Sequence, residues 1–580
     1  MELSAKTANP TPAVGSLQDI AAEIDRLYQS RLSRRTLGLS PAGLTEIYVS
    51  WLAHLIQCPG RLSALATYPL QTACGLAQQA GTAAPSLTPD PRFKSDEWAQ
   101  YPWKSYVDMF HAAEGFWDLA TRNIPGLSPQ YERATTFVAR QLLDAISPGN
   151  FLPTNPQVLK ATFEQGGLNL LHGWFNLLED VTHTLSGQPQ PGMEQFVIGE
   201  NIAVTPGKVV LRNQLMELIQ YDPITPTVQK EPILILPAWI MKYYILDLSA
   251  HNSMVRWLTQ QGHTVFIVSW KNPDASDRNN GMDDYLRDGA LAALDAVSSI
   301  YPKTQINLAG YCLGGTLAMI AAAWLARQND KRLKSLTLMA AQGDFTEAGE
   351  MMVFVTPSEV SYLENMMWSQ GYLDTKQMAG AFQMLRSYDL IWSRITRDYM
   401  MGQRSKPFDL MAWNADATRM PYRMHSEYLD RLYLKNEFAN GHFVALGQPV
   451  APENITIPIF AIGTETDHVA PWKSVYKIHL MVNADVTFAL TSGGHNAGIV
   501  SAPGQNNRHY RLATHKANAP YIAPSQWTEQ AKLHNGSWWQ AWDHWLKRLD
   551  SKTQVRAPRK AGNAKYPPRY AAPGQYIHQK

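Results

Sequence analysis

Six short apolar runs constrain the fold of this chain more than any other feature of its sequence. Each run is rich in aliphatic and β-branched residues, and helical patterns separate most of them: 232–237 (PILILP), 264–270 (TVFIVSW), 306–311 (INLAGY), 335–340 (SLTLMA), 458–463 (PIFAIG) and 486–493 (VTFALTSG). Strands that are apolar on both faces and alternate with helices are typical of a parallel sheet covered by helices. We therefore predict an α/β fold with a mostly parallel sheet.

Two helical regions precede and interrupt these strands. Residues 1–195 show apolar residues at helical spacing, including Tyr48 and Trp51, but few side chains that suggest chemistry, so we predict a helical N-terminal domain for packing. The catalytic domain is then expected to span 196–580. The gap between its fourth and fifth predicted strands is too long for an unstructured loop, and we predict an inserted cap subdomain over about 341–455.

Composition excludes several classes of function. The 51 basic and 49 acidic residues nearly balance, so the sequence does not indicate a nucleic-acid-binding surface. Cys58, Cys74 and Cys312 are too widely spaced to predict a disulfide framework or a metal site. The start of the chain lacks the basic and apolar segments of a secretory signal, and we expect a cytoplasmic protein with free thiols.

The turn around Cys312 is the candidate site of chemistry. Residues 307–326 (NLAGYCLGGTLAMIAAAWLA) carry no charged side chain, and their length is sufficient for a membrane helix. The sequence instead indicates a sharp strand-to-helix turn that presents a nucleophile, because Gly310, Gly314 and Gly315 flank Cys312. We therefore expect no integral membrane segment. The start of the helix favours a thiolate, and the Leu313 amide is a candidate oxyanion donor. A second donor is expected after the 232–237 strand, at Ile240 or a neighbouring amide.

A base and an acid are expected to follow the nucleophile in chain order, each after a later strand. His495, in ALTSGGHNAGIV, is the candidate base because it combines a strand end, two preceding glycines and the correct order. Asp467, in AIGTETDHVAPW, is the candidate orienting acid, with Glu465 and Asp344 left as alternatives. His468 beside it is expected to have a structural or supporting role.

Several stretches together resemble the polyhydroxyalkanoate synthases: PAWIMKYYILDL, GHTVFIVSWKNPD, GYCLGGTLA, TDHVAPW and GGHNAGIV. The resemblance covers the chain from about residue 93 to its end. It implies a fold of the α/β-hydrolase type and an acyltransferase that polymerises (R)-3-hydroxyacyl-CoA into a polyester and releases CoA. It also implies the site residues: Cys312 as nucleophile, Asp467 as acid, His495 as base, the amides of Leu313 and Ile240 as oxyanion donors, and Trp413, with His468, in the substrate pocket.

The same resemblance carries expectations about substrates, partners and location. The long N-terminal region and Leu313 after the cysteine resemble the class I enzymes, which implies short-chain monomers such as 3-hydroxybutyryl-CoA and a homodimer without a second kind of subunit. CoA enters as part of the substrate, and neither a cofactor nor a metal is expected. Because the growing polymer is insoluble, we expect a cytoplasmic enzyme that associates with polymer granules. The face of Tyr48 and Trp51 is a candidate contact surface, with packed core as the alternative.

Two other functions stay open on the sequence. The first is a thioesterase or esterase that uses the same cysteine, histidine and aspartate. The second is a polymer-binding protein without catalytic activity, since a fold alone does not establish a reaction.

Overall fold

The computed structural model describes residues 17–36, 38–79, 90–385, 387–551 and 553–580. The first sixteen residues, on which the expectation about a secretory signal rests, lie outside these ranges. The region before the sheet is helical: α1 (Leu17–Arg35), α2 (Pro41–Ile56), α3 (Pro59–Gln79), α4 (Trp103–Thr121), α5 (Pro129–Ala145), α6 (Pro156–Glu164) and α7 (Leu168–Ser186). Helices α2, α5 and α6 each begin with a proline that follows Ser40, Ser128 or Asn155, whose side chains accept first-turn N–H groups.

The remainder of the described chain contains the strands of one large sheet and several two-stranded pairs. The strands are β1 (Gly207–Arg212), β2 (Met216–Tyr221), β3 (Thr227–Gln229), β4 (Ile233–Leu236), β5 (Val265–Trp270), β6 (Ile306–Tyr311), β7 (Leu333–Met339), β8 (Tyr372–Leu373), β9 (Met420–Pro421), β10 (Phe443–Ala445), β11 (Gln448–Val450), β12 (Ile459–Thr464), β13 (Val486–Thr491), β14 (His509–His515), β15 (Lys532–Asn535) and β16 (Gln554–Arg556). The large sheet has the order β1-β2-β5-β4-β6-β7-β12-β13-β14-β15. Its strands from β5 to β13 are parallel, and the strands at both edges are antiparallel.

The predicted α/β fold with a mostly parallel sheet is confirmed. The six predicted runs form β4, β5, β6, β7, β12 and β13, which make up the parallel part of the sheet. Strands β4, β5, β6, β12 and β13 are buried at every position, which explains their continuous apolar sequences. The antiparallel edge strands were not predicted because they are not continuous apolar runs. Polar Glu217 and Gln220 lie in β2, and most residues of β14 are half-exposed.

The helices of this part of the chain are α8 (Met254–Gln260), α9 (Met282–Asp284), α10 (Ala292–Ile300), α11 (Leu313–Arg327), α12 (Pro357–Gln370), α13 (Thr375–Leu385), α14 (Asp409–Asn414), α15 (Tyr422–Glu427), α16 (Trp472–Tyr476), α17 (Ile478–Met481), α18 (Pro524–Gln530) and α19 (Trp538–Leu549). Helices such as α8, α10, α11 and α16 pack on the strands of the large sheet. Helix α11 is almost wholly buried, which its uncharged sequence requires. Within the described ranges, no helix is long and apolar enough to span a membrane.

The chain between β7 and β12 has its own helices, α12 to α15, and we call residues 341–455 the cap segment. The N-terminal helices pack on it. The Ser40 amide at the start of α2 donates to both carboxylate oxygens of Glu359 in α12, at 3.0 and 2.9 Å. Asn169 of α7 donates to the carbonyl of Met400 at 2.8 Å. The helical region therefore contacts the sheet domain largely through the cap segment.

Candidate active site

Cys312 lies at the sharp turn between β6 and α11, with a backbone φ of 52°. A positive φ is rare for residues with side chains and is typical of a nucleophile held at a strand-to-helix turn. The neighbouring glycines are required sterically. A Cβ on Gly314 would lie 2.1 Å from the Leu236 carbonyl oxygen, and one on Gly310 would lie 2.4 Å from the Gly315 Cα. The sequence therefore places the half-buried thiol at the carboxyl ends of the parallel strands.

His495 and Asp467, predicted as base and acid, meet beside this turn. Nδ1 of His495 lies 2.8 Å from Oδ2 of Asp467, and Asp467 is buried. The same oxygen accepts from the Thr464 hydroxyl at 2.8 Å, while Oδ1 accepts from the amides of Val469 and Ala470 at 2.9 and 2.8 Å. These donors hold the carboxylate in one orientation toward the imidazole.

The charges of these groups affect one another. Burial alone would lower the pKa of His495, but the Asp467 charge, followed by the Cys312 sulfur and hydrogen bonds to both, raises that pKa well above its ordinary value. Burial alone would raise the pKa of Asp467, but the attraction of His495 and the hydrogen bonds on the carboxylate lower it. The arrangement therefore favours a protonated imidazole beside an ionised carboxylate. Because Cys312 and Asp467 both act on the pKa of His495, the three predicted residues lie close together.

The two alternative acids have other partners. The Glu465 carboxylate lies 3.1 Å from Nε2 of His509. The Asp344 carboxylate accepts from the backbone and hydroxyl of Thr346 and lies 3.6 Å from the Lys477 ammonium. Asp467 is thus the member of the three whose geometry fits an orienting acid.

The two predicted oxyanion donors lie at suitable places in the fold. Leu313 is the first residue of α11, where N–H groups have no partner within their own helix. Ile240 follows β4, the neighbour of β6 in the sheet, and its carbonyl accepts the Thr418 amide of the cap segment at 3.4 Å. Among the described residues, neither the Leu313 nor the Ile240 amide donates a hydrogen bond. Both are therefore available to a substrate oxygen.

Trp413 and His468, the predicted pocket residues, differ in exposure. Trp413 is buried in α14, and its indole Nε1 donates to the Lys242 carbonyl, two residues after Ile240, at 2.7 Å. His468 is exposed beside a cavity of about 760 Å³ that residues of helices α4 and α5 also line. Its carbonyl accepts the Glu350 amide at 3.1 Å. The structure thus gives Trp413 a direct contact with the loop of Ile240, whereas His468 lines a cavity next to the N-terminal helices.

Two tyrosines of the cap segment also lie near the thiol, and the sequence did not single them out. Tyr428 and Tyr433 belong to a π-helical turn, and the Tyr428 hydroxyl donates to that of Tyr433 at 3.4 Å. Burial first, then Tyr433 and the Cys312 sulfur, raise the pKa of Tyr428 well above its usual range. Burial and the Cys312 sulfur likewise raise the pKa of Tyr433 to about 12, against the hydrogen bond from Tyr428, which lowers it. Both phenols therefore stay protonated near Cys312. A π-helical turn has no simple spacing signal, which explains the omission.

One cluster elsewhere has the residue types of a metal site. Asp90, His111 and Glu114 hold their ligand atoms close together. The guanidinium of Arg92, however, contacts Asp90 at 2.7 Å and Glu114 at 2.5 Å. Its fixed positive charge pairs with both carboxylates, so this cluster is accounted for as an ion-pair network.

Comparison with known proteins gives a consistent family. Residues 89–258 match the family described as the N-terminus of poly-beta-hydroxybutyrate polymerase (PhaC), 19–61 match a second N-terminal family of that polymerase, and 231–502 match the α/β-hydrolase fold. A solved structure of a soluble variant of monoglyceride lipase from Saccharomyces cerevisiae is 9% identical, with a TM-score of 0.35, and the match covers 61% of this chain and 98% of that one.

Curated relatives match over most of their length. The poly(3-hydroxyalkanoate) polymerase subunit PhaC of Rhizobium meliloti (strain 1021) is 38% identical over 494 residues, which cover 84% of this chain and 79% of that protein. The poly(3-hydroxyalkanoate) polymerase of Methylorubrum extorquens is 38% identical over 510 residues, which cover 87% and 83%. For the subunit PhaC of Cupriavidus necator the identity is 36% over 505 residues, which cover 85% and 83%. The chain therefore belongs to the poly(3-hydroxyalkanoate) polymerases, with an α/β-hydrolase fold.

Proposed function

We propose that this chain polymerises short-chain (R)-3-hydroxyacyl-CoA, such as 3-hydroxybutyryl-CoA, through a covalent thioester on Cys312. The observation that carries the proposal is the meeting of Cys312, His495 and Asp467 at the ends of the parallel strands in a chain of this family. A thiol suits this substrate, because exchange between two thioesters costs almost no free energy. A cysteine in place of serine has little advantage for hydrolysis.

In the first step, His495 takes the proton of Cys312, and the sulfur attacks the carbonyl carbon of the CoA thioester. The amides of Leu313 and Ile240 donate to the oxyanion that forms. The bond between that carbon and the CoA sulfur then breaks, and the proton on His495 passes to the CoA thiolate. Asp467 stabilises the imidazolium between these transfers.

In the second step, His495 removes the proton of the 3-hydroxyl group of another acyl-CoA, whose oxygen attacks the acyl carbon on Cys312. A new ester bond forms, the carbon–sulfur bond breaks, and His495 returns the proton to the Cys312 sulfur. The lengthened chain then transfers from CoA to Cys312 in a repeat of the first step. The cap segment, with Tyr428 and Tyr433 near the thiol, excludes the water that would compete with the hydroxyl.

A thioesterase or esterase on the same residues is the alternative, and product analysis separates the two. Purified protein is incubated with 3-hydroxybutyryl-CoA, and released CoA, free acid and insoluble polymer are measured. CoA with polymer supports the proposal, and CoA with an equal amount of free 3-hydroxybutyrate supports the hydrolase. Absence of CoA release would indicate a protein without this activity.

We also propose that the enzyme associates with the granules of its product in the cytoplasm, as a homodimer. Support for granule contact comes from α7, which turns its polar side toward the cap segment and its apolar side outward. Asp180 of α7 pairs with Arg394 and Arg404 at 2.8 and 2.7 Å. The outward residues are between 43% and 84% exposed: Leu168, Leu171, Trp174, Phe175, Leu178, Val181 and Leu185. An exposed apolar face of this extent is typical of a contact surface.

The face of Tyr48 and Trp51, expected as such a surface, is only partly available. Tyr48 is 56% exposed, but the Trp51 indole donates to the Ala120 carbonyl at 2.8 Å and packs near Trp117. The outward face of α7 is therefore the better candidate.

A further inference from the structure

Two residues that flank the proposed base and nucleophile contact each other directly. Tyr311 precedes Cys312 and ends β6, while Asn496 follows His495. The Tyr311 hydroxyl donates to Oδ1 of Asn496 at 2.5 Å. The Tyr311 ring also lies against the His495 imidazole, with ring centroids 5.6 Å apart and planes tilted by 31°. One buried tyrosine thus contacts both the base and the residue after it.

The histidine loop spans a wide gap in the sheet. It leaves β13, whereas Cys312 follows β6, and β7 and β12 lie between these strands. Three strand spacings correspond to about 14 Å. After Ser492 the loop continues with Gly493, at a φ of 102°, and Gly494, the residues that restrict the backbone least. A side-chain contact with β6 is therefore a means of fixing the distance between His495 and Cys312.

Tyr311 is well suited to this contact. Its backbone pairs with Met339 of β7 in the interior of the sheet, so its position is fixed. Burial, followed by the charges of Cys312 and Asp467, raises the pKa of Tyr311 well above its ordinary value, so the hydroxyl remains a donor throughout the neutral pH range. On the other side, the carbonyl of Asn496 accepts the amides of Ile499 and Val500 at 3.1 and 2.9 Å, which fixes the turn that follows.

The need for this contact differs between the two steps of the proposed reaction, on which this inference rests. Before acylation, the Cys312 sulfur interacts with His495 and contributes to the raised pKa of the imidazole. In the acyl-enzyme the sulfur carries the growing chain and has no proton to donate. The imidazole is then held by Asp467 on one edge and by the Tyr311 ring and the Asn496 side chain through the loop.

We propose that Tyr311 and Asn496 are positioning residues that hold His495 in place in the acyl-enzyme, and thereby support chain elongation more than the first acylation. A displacement of the base by about 1 Å can slow a reaction by roughly two orders of magnitude, so even one lost hydrogen bond at this place is expected to be visible in the rate.

The test compares two rates in the same protein. With enzyme in excess over 3-hydroxybutyryl-CoA, release of CoA reports the first acylation, because no second unit is present to attack. With substrate in excess, steady release of CoA reports elongation. In Tyr311→Phe, which keeps the ring, and in Asn496→Leu, we expect the ratio of elongation to acylation to fall about tenfold. The double variant is expected to be no worse than the single ones, because both remove the same bond.

Tyr476→Phe is the matched control, since this buried tyrosine also donates one hydrogen bond, to the Ile522 carbonyl at 3.0 Å, away from the site. Its ratio is expected to stay within about twofold of wild type. Equal losses in both rates of Tyr311→Phe would indicate a general structural role and overturn the inference, as would two rates that both stay at the wild-type value. Wild-type protein that releases no CoA, or releases only free acid, would instead overturn the proposed function on which the inference rests.

Discussion

Nδ1 of His495 lies 2.8 Å from Oδ2 of Asp467, although the two residues follow different strands of the sheet. The contact orients the imidazole, and the Asp467 charge opposes the effect of burial on the pKa of His495. We therefore expect loss of the Asp467 charge to slow chain elongation more than the first acylation in the proposed reaction. The reason is that a hydroxyl is much less acidic than a thiol and needs a stronger base.

Removal of the Asp467 charge should impair elongation most. In Asp467→Asn the pKa of His495 falls, and the weaker base can still deprotonate a thiol but activates a hydroxyl poorly. We expect the first acylation to slow by about tenfold and elongation by about a thousandfold, whereas His495→Gln loses nearly all of both. Rapid-quench measurement of CoA release checks these values. Equal effects of Asp467→Asn on both steps would remove Asp467 from its assigned role.

The nucleophile assignment predicts a sharp difference among the cysteines. Cys312→Ala is expected to reduce CoA release to less than about a hundredth of the wild-type rate. Cys58 lies between α2 and α3, and Cys74 lies in α3. Because both belong to the N-terminal helical region and not to the site, Cys58→Ala and Cys74→Ala should keep most of the activity. Mass spectrometry of the intact protein after addition of substrate provides a second measurement, since an acyl adduct is expected in wild type and not in Cys312→Ala.

The glycine after Leu313 should tolerate no side chain. In Gly314→Ala the new Cβ would lie 2.1 Å from the Leu236 carbonyl oxygen and 2.5 Å from that of Pro237, both of which are backbone atoms. We expect a loss of about 3 kcal/mol in the free energy of unfolding. Gly75→Ala is the control, because its Cβ would meet nothing within 4 Å in α3, and it should stabilise that helix by about 1 kcal/mol. Urea unfolding of both variants tests this, and equal midpoints would contradict it.

These glycines also show which parts of the site the sequence could predict. The sharp turn at Cys312 was predictable because the close approach of backbone segments requires glycines on both sides of the cysteine. The contact between Tyr311 and Asn496 was not, because its two residues are 185 positions apart and no local pattern pairs them. Asp467 was one of three acids near strand ends, and only the folded loops decide which of them reaches the imidazole.

The same distinction applies to the fold. Strands buried on both faces are continuous apolar runs, so β4 to β7, β12 and β13 were predictable. The packing of the N-terminal helices on the cap segment depends on contacts such as that between Ser40 and Glu359, which are 319 positions apart. Neither residue is unusual for a helix start, so no local pattern pairs them.

That contact predicts a dependence of stability on pH. Burial raises the pKa of Glu359 from 4.5 to about 7, against the hydrogen bond from Ser40, which lowers it. The folded protein thus binds this proton more tightly than the unfolded chain, so stability falls as the pH rises from about 4.5 to 7 and is constant above. The shift corresponds to about 3 kcal/mol.

Glu359→Gln cannot ionise, so its melting temperature relative to wild type should increase between pH 5 and pH 8. Thermal unfolding at several pH values measures the difference. Gln130→Ala is a matched control, because Gln130 of α5 donates to the carbonyl of Val355 just before α12 and does not titrate. A constant difference between Glu359→Gln and wild type across this range would contradict the assignment.

Contact with the granule is expected to depend on the outward face of α7. Introducing charge there, as in Leu171→Glu with Leu178→Glu, should leave the fold intact because both side chains are exposed, at 48% and 43%. The activity on dissolved 3-hydroxybutyryl-CoA should then stay close to wild type. The share of enzyme that sediments with polymer should fall by at least about half, because charged groups resist transfer to an apolar surface. Leu533→Glu, at an equally exposed site in β15, is the control and should sediment as wild type does. Equal sedimentation of all three proteins, measured by density fractionation of polymer-producing cells, would place the contact elsewhere.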